Sequence, residues 1–275
     1  MPESHRATVD GVRPPMEGDQ AKRLRDQIDG LLELRAEADR MTGRALDAFF
    51  VRCLGDPFAN PMGWAEGALG TVCDVRLGGP AQRVSPEHRG GGIPWVTPRD
   101  LARDGAWVVT RTARSLEDES AKHLGNGLLP AGSVLLSAAG RIGLIAIAGT
   151  HVVAGPGVLG FVCGDAIDSW YLFAWFRLRR SWLRSLGQGP LRSLLVADVK
   201  DVRLPIPPME RQSDFREAAR RLQEARRRAG VVGDHLTDLA RWFPEPRGAA
   251  SREAGAPVLN EEASARSAAL CGDTP

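Results

Sequence analysis

The sequence predicts an α+β protein in which one β-rich globular domain is held between two long coiled-coil helices. Three observations carry that expectation. Apolar residues recur at alternating spacings of three and four in a segment near each end. The residues between them form short apolar runs punctuated by Gly and Pro. Proline-containing breaks, Gly55-Asp56-Pro57 and Pro205-Ile206-Pro207-Pro208, separate the two patterns.

Residues 1–18, with Pro14-Pro15 and Gly18, are expected to form a disordered lead-in. Asp19 suits the N-cap of a helix over 19–55, because its carboxylate can accept from the unpaired N–H groups of the first turn. Leu31, Leu34, Ala38, Met41, Ala45 and Ala48 form its expected apolar stripe, widened by Leu24, Ile28, Leu46, Phe49 and Phe50. Strands are expected over 71–75, 93–96, 107–111, 134–137, 142–148, 151–154 and 157–163, within a domain spanning 57–207. One helix, 167–186, interrupts them with a mixture of aromatic and basic residues, and a short helix is expected over 194–199. The proline run then opens a helix over 209–243, since the first turn has no partner for the N–H that proline lacks. Phe215, Ala218, Leu222, Ala225, Ala229, Val232, Leu236, Leu239 and Phe243 give it a three–four seam, with Gly230 and Gly233 weakening its middle. Residues 246–275, rich in Ala, Gly, Ser and Glu, are expected to be a disordered tail. At an offset of 190, Leu32, Gly43 and Leu46 match Leu222, Gly233 and Leu236, a weak hint that the two helices repeat one element.

Composition narrows the function. The hydrophobic share of 43% and charged share of 25% suit a water-soluble globular chain of 275 residues. No run of about 18 apolar residues offers a membrane span, and residues 1–19 lack the apolar core of a signal peptide. Cys53, Cys73, Cys163 and Cys271 stand far apart, with no CxxC pair and no His at ligand spacing. Free thiols, no metal and a cytoplasmic location are therefore expected. The net charge of +2 conceals a local excess: residues 76–200 hold fifteen Lys or Arg against nine Asp or Glu. Nearly all of these cations are Arg, whose planar fork pairs with guanine edges and phosphates.

The sequence offers no reactive constellation. No GxxxxGK[ST] loop cradles a nucleotide, and Gly90-Gly91-Gly92 lacks the spacing of a dinucleotide fingerprint. Neither an S-adenosylmethionine loop nor an Asn-Pro-Pro-Tyr motif occurs, and Glu117-Asp118-Glu119 with Lys122 does not fit a nuclease pattern. His5, His88, His123, His151 and His235 are scattered, and His151 reads as a core histidine. Ser137 fails the GxSxG elbow. No catalytic centre and no cofactor are expected in this chain.

Several phrases, in order, then carry a resemblance. They are Leu54-Gly55-Asp56-Pro57 with Asn60-Pro61-Met62-Gly63-Trp64; Gly78-Gly79-Pro80; and Gly92-Ile93-Pro94-Trp95-Val96-Thr97-Pro98-Arg99-Asp100-Leu101. Leu129-Pro130-Ala131-Gly132-Ser133-Val134-Leu135-Leu136-Ser137, Gly140-Arg141-Ile142-Gly143 and Leu204-Pro205-Ile206-Pro207-Pro208-Met209-Glu210-Arg211-Gln212 follow. Together they make residues 31–243 similar to the specificity subunits of type I restriction–modification systems. The resemblance implies a target recognition domain over 57–207, flanked by spacer helices, which reads double-stranded DNA without catalysis. Such subunits usually carry two such domains, so this chain resembles a half subunit that pairs with a second half to read a bipartite site. The resemblance also implies modification (methyltransferase) subunits carrying S-adenosylmethionine and a restriction subunit using ATP and Mg, all on partners rather than here. Val152-Val153-Ala154-Gly155 departs from the Asn-Gln pair common in the family, and Pro190-Leu191-Arg192 from a Thr-Gln phrase.

Base and phosphate contacts are expected from loops beside these phrases: Arg76, Gln82, Arg83, Arg89, Thr97, Arg99, Arg111, Arg114, Arg141, Gln188 and Arg192. Arg83, Arg89 and Arg99 rank first. Arg177, Arg179, Arg180 and Arg184 are expected to touch phosphates or nothing, and Trp95 and Trp170 to be core. The arginines of the last helix, Arg216 to Arg228, are expected on a solvated flank. Three other readings stay open: a coiled-coil interaction module, a defective specificity copy, and a divergent S-adenosylmethionine-dependent methyltransferase.

Overall fold

The computed structural model describes residues 18–79, 89–102, 107–117, 127–189 and 193–240. It divides into two units. The first contains the chain ends, residues 1–30 and 237–275. Of these, 18–30 and 237–240 are helical; Arg25 pairs with Asp29 at 2.9 Å and Ile28 is buried. The second, Leu31–Leu236, holds the rest and is described from here on.

The first helix is α1 (Gly18–Leu54). The chain continues through β1 (Glu66–Ala68), the single turn α2 (Leu69–Val72), β2 (Cys73–Leu77), β3 (Arg89–Val96) and α3 (Pro98–Ala102). Next come β4 (Val108–Val109), β5 (Ser115–Leu116), β6 (Leu128–Leu129), β7 (Val134–Ser137), β8 (Ile145–Ala148), β9 (Val152–Ala154) and β10 (Val158–Cys163). Two helices, α4 (Ser169–Leu178) and α5 (Arg180–Ser185), precede α6 (Val196–Lys200), β11 (Arg203–Pro205) and the long α7 (Met209–Ala240). The described strands form a sheet in the order β2-β10-β7-β8-β4, a second in the order β5-β3-β9-β6, and the pair β1-β11. All pairings are antiparallel except β3 with β9 and β4 with β8.

The centre of this unit is α4. Its residues Trp170 to Phe176 are all buried, so the helix has no solvent face and must be enclosed. Phe176 packs on Phe161 of β10 with ring centroids 5.0 Å apart, and Tyr171 stacks on Phe50 of α1 at 5.5 Å. Phe215 of α7 then meets Phe50 edge-on at 5.4 Å and Phe49 at 5.9 Å. The Asp168 carboxylate caps α4, accepting from Trp170 N at 2.8 Å, while its other oxygen accepts from Arg216 at 2.7 Å.

The long helices pair within one chain. Phe215 meets Phe49 and Phe50, Arg226 donates to Asp39 at 3.0 Å, and a Cβ at Gly230 would stand 3.6 Å from an Arg35 nitrogen. Numbers rise on one helix as they fall on the other, so the pair is antiparallel. The buried face therefore differs from the expected seam. Leu46, Phe50 and Leu54 point inward, whereas Leu31, Leu34 and Met41 are 48%, 68% and 60% exposed, and Ala38, Ala45 and Ala48 also face solvent. On α7 the inner line is Gln212, Phe215, Ala219 and Leu222, with Ala225 and Ala229 exposed. Apolar periodicity is present on two faces of α1, and the ion pairs made by Asp39 and Asp47 settle which one turns inward.

Other expectations are corrected locally. The helix over 167–186 is two helices, because the backbone at Arg179 leaves the helical region with ψ near 15°. The strand over 71–75 begins only at Cys73; the preceding residues make α2, whose Leu69 N–H donates to Val202 O at 2.8 Å. His151 is exposed in the turn before β9 rather than in the core. Cys73 and Cys163, ninety residues apart in sequence, are direct partners across β2 and β10. Hydrogen bonding between the two thiols raises the pKa of Cys73 and lowers that of Cys163.

Gln212 ties the globular domain to α7. Fully buried, its carbonyl accepts from Asp168 N at 2.7 Å, and its amide donates to Ala166 O at 3.0 Å and Pro207 O at 2.7 Å. Replacing it with Ala leaves three backbone groups without this partner, of which the Pro207 carbonyl is buried and the other two can be reached by water in part; a buried group costs about 1–3 kcal/mol when unpaired. Gln212→Ala is expected to lose about 3 kcal/mol, roughly 6–12 °C in thermal midpoint for a unit of this size, measured by calorimetry. The inner face of α1 gives a second test. Leu46→Ala should cost about 3 kcal/mol in urea unfolding, and Leu34→Ala less than about 0.5 kcal/mol.

Candidate nucleic-acid interface

Strand direction sorts the domain into two ends. At one, the first residue of β2 faces the last of β10, and β1 pairs with β11 nearby, Glu66 opposite Pro205. At the other lie the end of β2, the end of β7 and the start of β10, with Leu77 opposite Leu159 and Ser137 opposite Val158. The loops that follow gather here. Gly78 lies so close to the β9–β10 turn that a Cβ on it would stand 2.0 Å from Gly155 O. A Cβ at Gly157, where φ is +75°, would meet Ala139 and Pro98 at 3.2 and 3.6 Å. Ala139 in turn bridges to Ser193, which also pairs with Gln188. Segments 78–79, 96–99 and 139–141, with Gln188 and Ser193, thus share one rim, remote in sequence and adjacent in space.

A second corner joins this rim through Asp100. The carboxylate, 9% exposed, accepts from Thr97 N at 2.9 Å and Thr97 Oγ1 at 2.6 Å, which starts α3. Its other oxygen accepts from Ala113 N at 3.0 Å, and Arg114 O accepts from Trp95 N at 3.0 Å. Segments 97–100 and 111–114 are thereby fixed side by side.

The expected contact residues divide into three groups. Arg99, Arg111, Arg114 and Arg141 are exposed, and among the described residues their guanidinium groups have no partner. Three are engaged. Arg76 donates to Asp74 at 2.8 Å and to Leu128 O at 2.8 Å, the Thr97 hydroxyl is held by Asp100, and the Gln188 amide donates to Asp198 at 2.7 Å. Gln82, Arg83 and Arg192 lie outside the described residues, as does the side chain of Arg89, whose backbone opens β3 opposite Leu116. Trp95 and Trp170 are core, 2% and 6% exposed.

The helical arginines are not idle. Arg177 donates to Asp47 of α1 at 2.7 Å and lies 5.9 Å from the Trp107 ring centre. Arg179 donates to Pro57 O at 3.1 Å and stacks on Phe58, Trp175 and Trp182, and its burial lowers its pKa. Arg216 pairs with Asp168, and Arg226 pairs with Asp39 while lying 4.6 Å from the centre of Trp107. These are joints between helices and sheet, not the solvated flank expected of the last helix. Arg221, Arg227 and Arg228 do lie on that flank, paired with Glu217 and Glu224. Nothing in sequence spacing separates the two kinds; only the partner, 130 or more residues away in the case of Arg177 and Arg226, does so. No described helix is long and apolar enough to cross a membrane.

Comparison with known proteins places this arrangement. Residues 61–218 match the family described as type I restriction modification DNA specificity domain. The MjaIX type I restriction enzyme specificity subunit of Methanocaldococcus jannaschii is 27% identical over 155 residues, 55% of this chain and 36% of that protein. Among solved structures, the HsdS subunit from Thermoanaerobacter tengcongensis aligns with a TM-score of 0.51 at 19% identity, covering 82% of this chain and 55% of that one. The S subunit of the type I restriction-modification system from M. genitalium gives 0.54 at 11% identity, covering 82% and 57%. The chain thus spans little more than half the length of these structures and about a third of the curated relative. The likeness in fold extends over 82% of the chain, and the family match exceeds half of it: the protein belongs to the type I restriction modification DNA specificity domain family.

Proposed function

We propose that this chain is a DNA sequence-recognition subunit that reads one half of a bipartite site and performs no chemistry itself. The observation that carries the reading is the rim: Arg99 and Arg141, with Arg111 and Arg114 joined through Asp100, present unpaired guanidinium forks at the domain end away from the β1–β11 pair. Loop arginines on a rigid sheet suit base edges in the major groove, where a bidentate pair with guanine discriminates by about 1–3 kcal/mol. Thr97 and Gln188 hold that rim in shape, and Gln82, Arg83, Arg89 and Arg192 are further contacts in this reading. Arg76, pinned across β2, supports rather than reads.

Methylation and cleavage then belong to partners: modification subunits bringing S-adenosylmethionine, and a restriction subunit bringing ATP and Mg. The exposed apolar stripe of α1, Leu31, Leu34 and Met41, is the surface on which such partners dock. A second half subunit supplies the other half-site, and two identical copies would read a palindromic bipartite target. All of this takes place in the cytoplasm.

Mapping of modified bases in the native host, compared with a deletion of this gene, tests the reading. The expected result is loss of one methylated adenine motif whose two halves are separated by a fixed gap. An unchanged pattern would overturn the proposal. In a complemented strain, Arg99→Ala should leave methylation present but relaxed at one base position, whereas loss of a cap or a joint should reduce it at every position alike.

A further inference from the structure

Four arginines converge where the β7–β8 turn meets the junction of α4 and α5. Arg141, Arg177 and Arg180 line one cavity of about 180 Å³, and Arg141 and Arg184 line the groove that adjoins it. The remaining walls include Trp107, Leu144 and Phe173, and among the described residues no carboxylate lines the cavity. Arg177 has its acid, Asp47, and Arg184 Nε donates to Ile142 O at 3.3 Å.

Arg180 differs from the other three arginines of the cluster. Its Nε is buried with no partner, and its guanidinium makes no hydrogen bond or ion pair among the described residues. Burial, and then the charges of Arg184, Arg141 and Arg177, push its pKa down. The backbone beneath makes room for it. Gly143 sits at φ +88°, and a Cβ there would come within 2.9 Å of Arg180 Cγ. A partly buried cation among like charges is unfavourable without an acceptor, since an unpaired buried polar group loses its hydration for nothing. Among the described residues no acceptor reaches it, and a phosphate fits, because its anionic oxygens match the guanidinium fork.

We infer that the Arg141–Arg177–Arg180–Arg184 cluster is a phosphate clamp that holds one backbone phosphodiester of the bound DNA. The inference rests on the proposal that this chain reads DNA. It adds a contact carrying no sequence information, and it assigns Arg141, at the edge of the rim, to the phosphate and leaves base reading to Arg99, Arg111 and Arg114. Leu101 and Ala102 of α3 share the cavity with Arg141, so a phosphate seated here lies near Arg99 and fixes how the strand enters the rim.

The test is fluorescence anisotropy of the full chain with labelled duplexes of several sequences, between about 50 and 200 mM salt. Arg180→Gln is expected to weaken binding about tenfold for every sequence alike, and to reduce the slope of log K against log salt by about one. Arg141→Gln, an exposed position that leaves the core alone, should act in the same direction and serves if Arg180→Gln unfolds the chain. If wild-type binding is intact and neither variant moves the slope, the clamp is wrong and the DNA reading survives. If the wild type shows no salt-dependent duplex binding, both fail together. Thermal melts with millimolar inorganic phosphate separate the two sources of the anion. Stabilisation of the wild type but not of Arg180→Gln, with the duplex slope unchanged, would assign the site to free phosphate and overturn the DNA clamp.

Discussion

A helix that is apolar on every side cannot rest on a surface; it has to be surrounded, and α4 imposes that requirement on the rest of the globular unit. The sheet covers it through Phe161, α1 through Phe50, and the start of α7 through Phe215, so three elements far apart in sequence are brought to one axis. Burial of such side chains contributes on the order of 2 kcal/mol each, and it is indifferent to direction. Direction comes from the polar groups at the two ends of α4. Gln212 and the Asp168 cap fix how α7 leaves, and Arg177 with Asp47 fixes how α1 lies. Apolar packing draws the elements together, and a few hydrogen-bonded groups choose one arrangement among those that would pack equally well.

That division explains what could be read from the residues. Dense apolar runs such as Val134–Ser137 and Val158–Cys163 are strands because both of their faces are mostly covered, and they stand where the sequence puts them. β4 falls within the expected run 107–111, but the two-residue strands β5 and β6 carry no periodicity at all; they exist because a neighbour offers unpaired backbone groups. The inner face of α1 was illegible for a different reason. Both candidate stripes are apolar, and the deciding contacts, Asp39 with Arg226 and Asp47 with Arg177, cross well over a hundred residues. The pairing of Cys73 with Cys163 was hidden in the same way, as a register and not a motif.

The site was legible in part. Loop phrases rich in Gly and Pro mark the rim, and Arg99 and Arg141 stand on it. Which arginines are free and which serve as joints is invisible in a chain whose cations are almost all Arg. A guanidinium can stack, bridge and neutralise, so one residue type holds helices together at Arg179 and Arg226 and faces solvent at Arg99 and Arg111.

The chain enters the globular domain through β1 and leaves through β11, and these two strands are paired. Everything between them therefore hangs as an insertion whose two ends are fastened side by side. Such an insertion can lengthen, drift or be exchanged for another with the same end strands and an equivalent of α4, and the helices that carry it need not shift. The far rim can thus change its shape and charge without asking anything new of the frame beneath it.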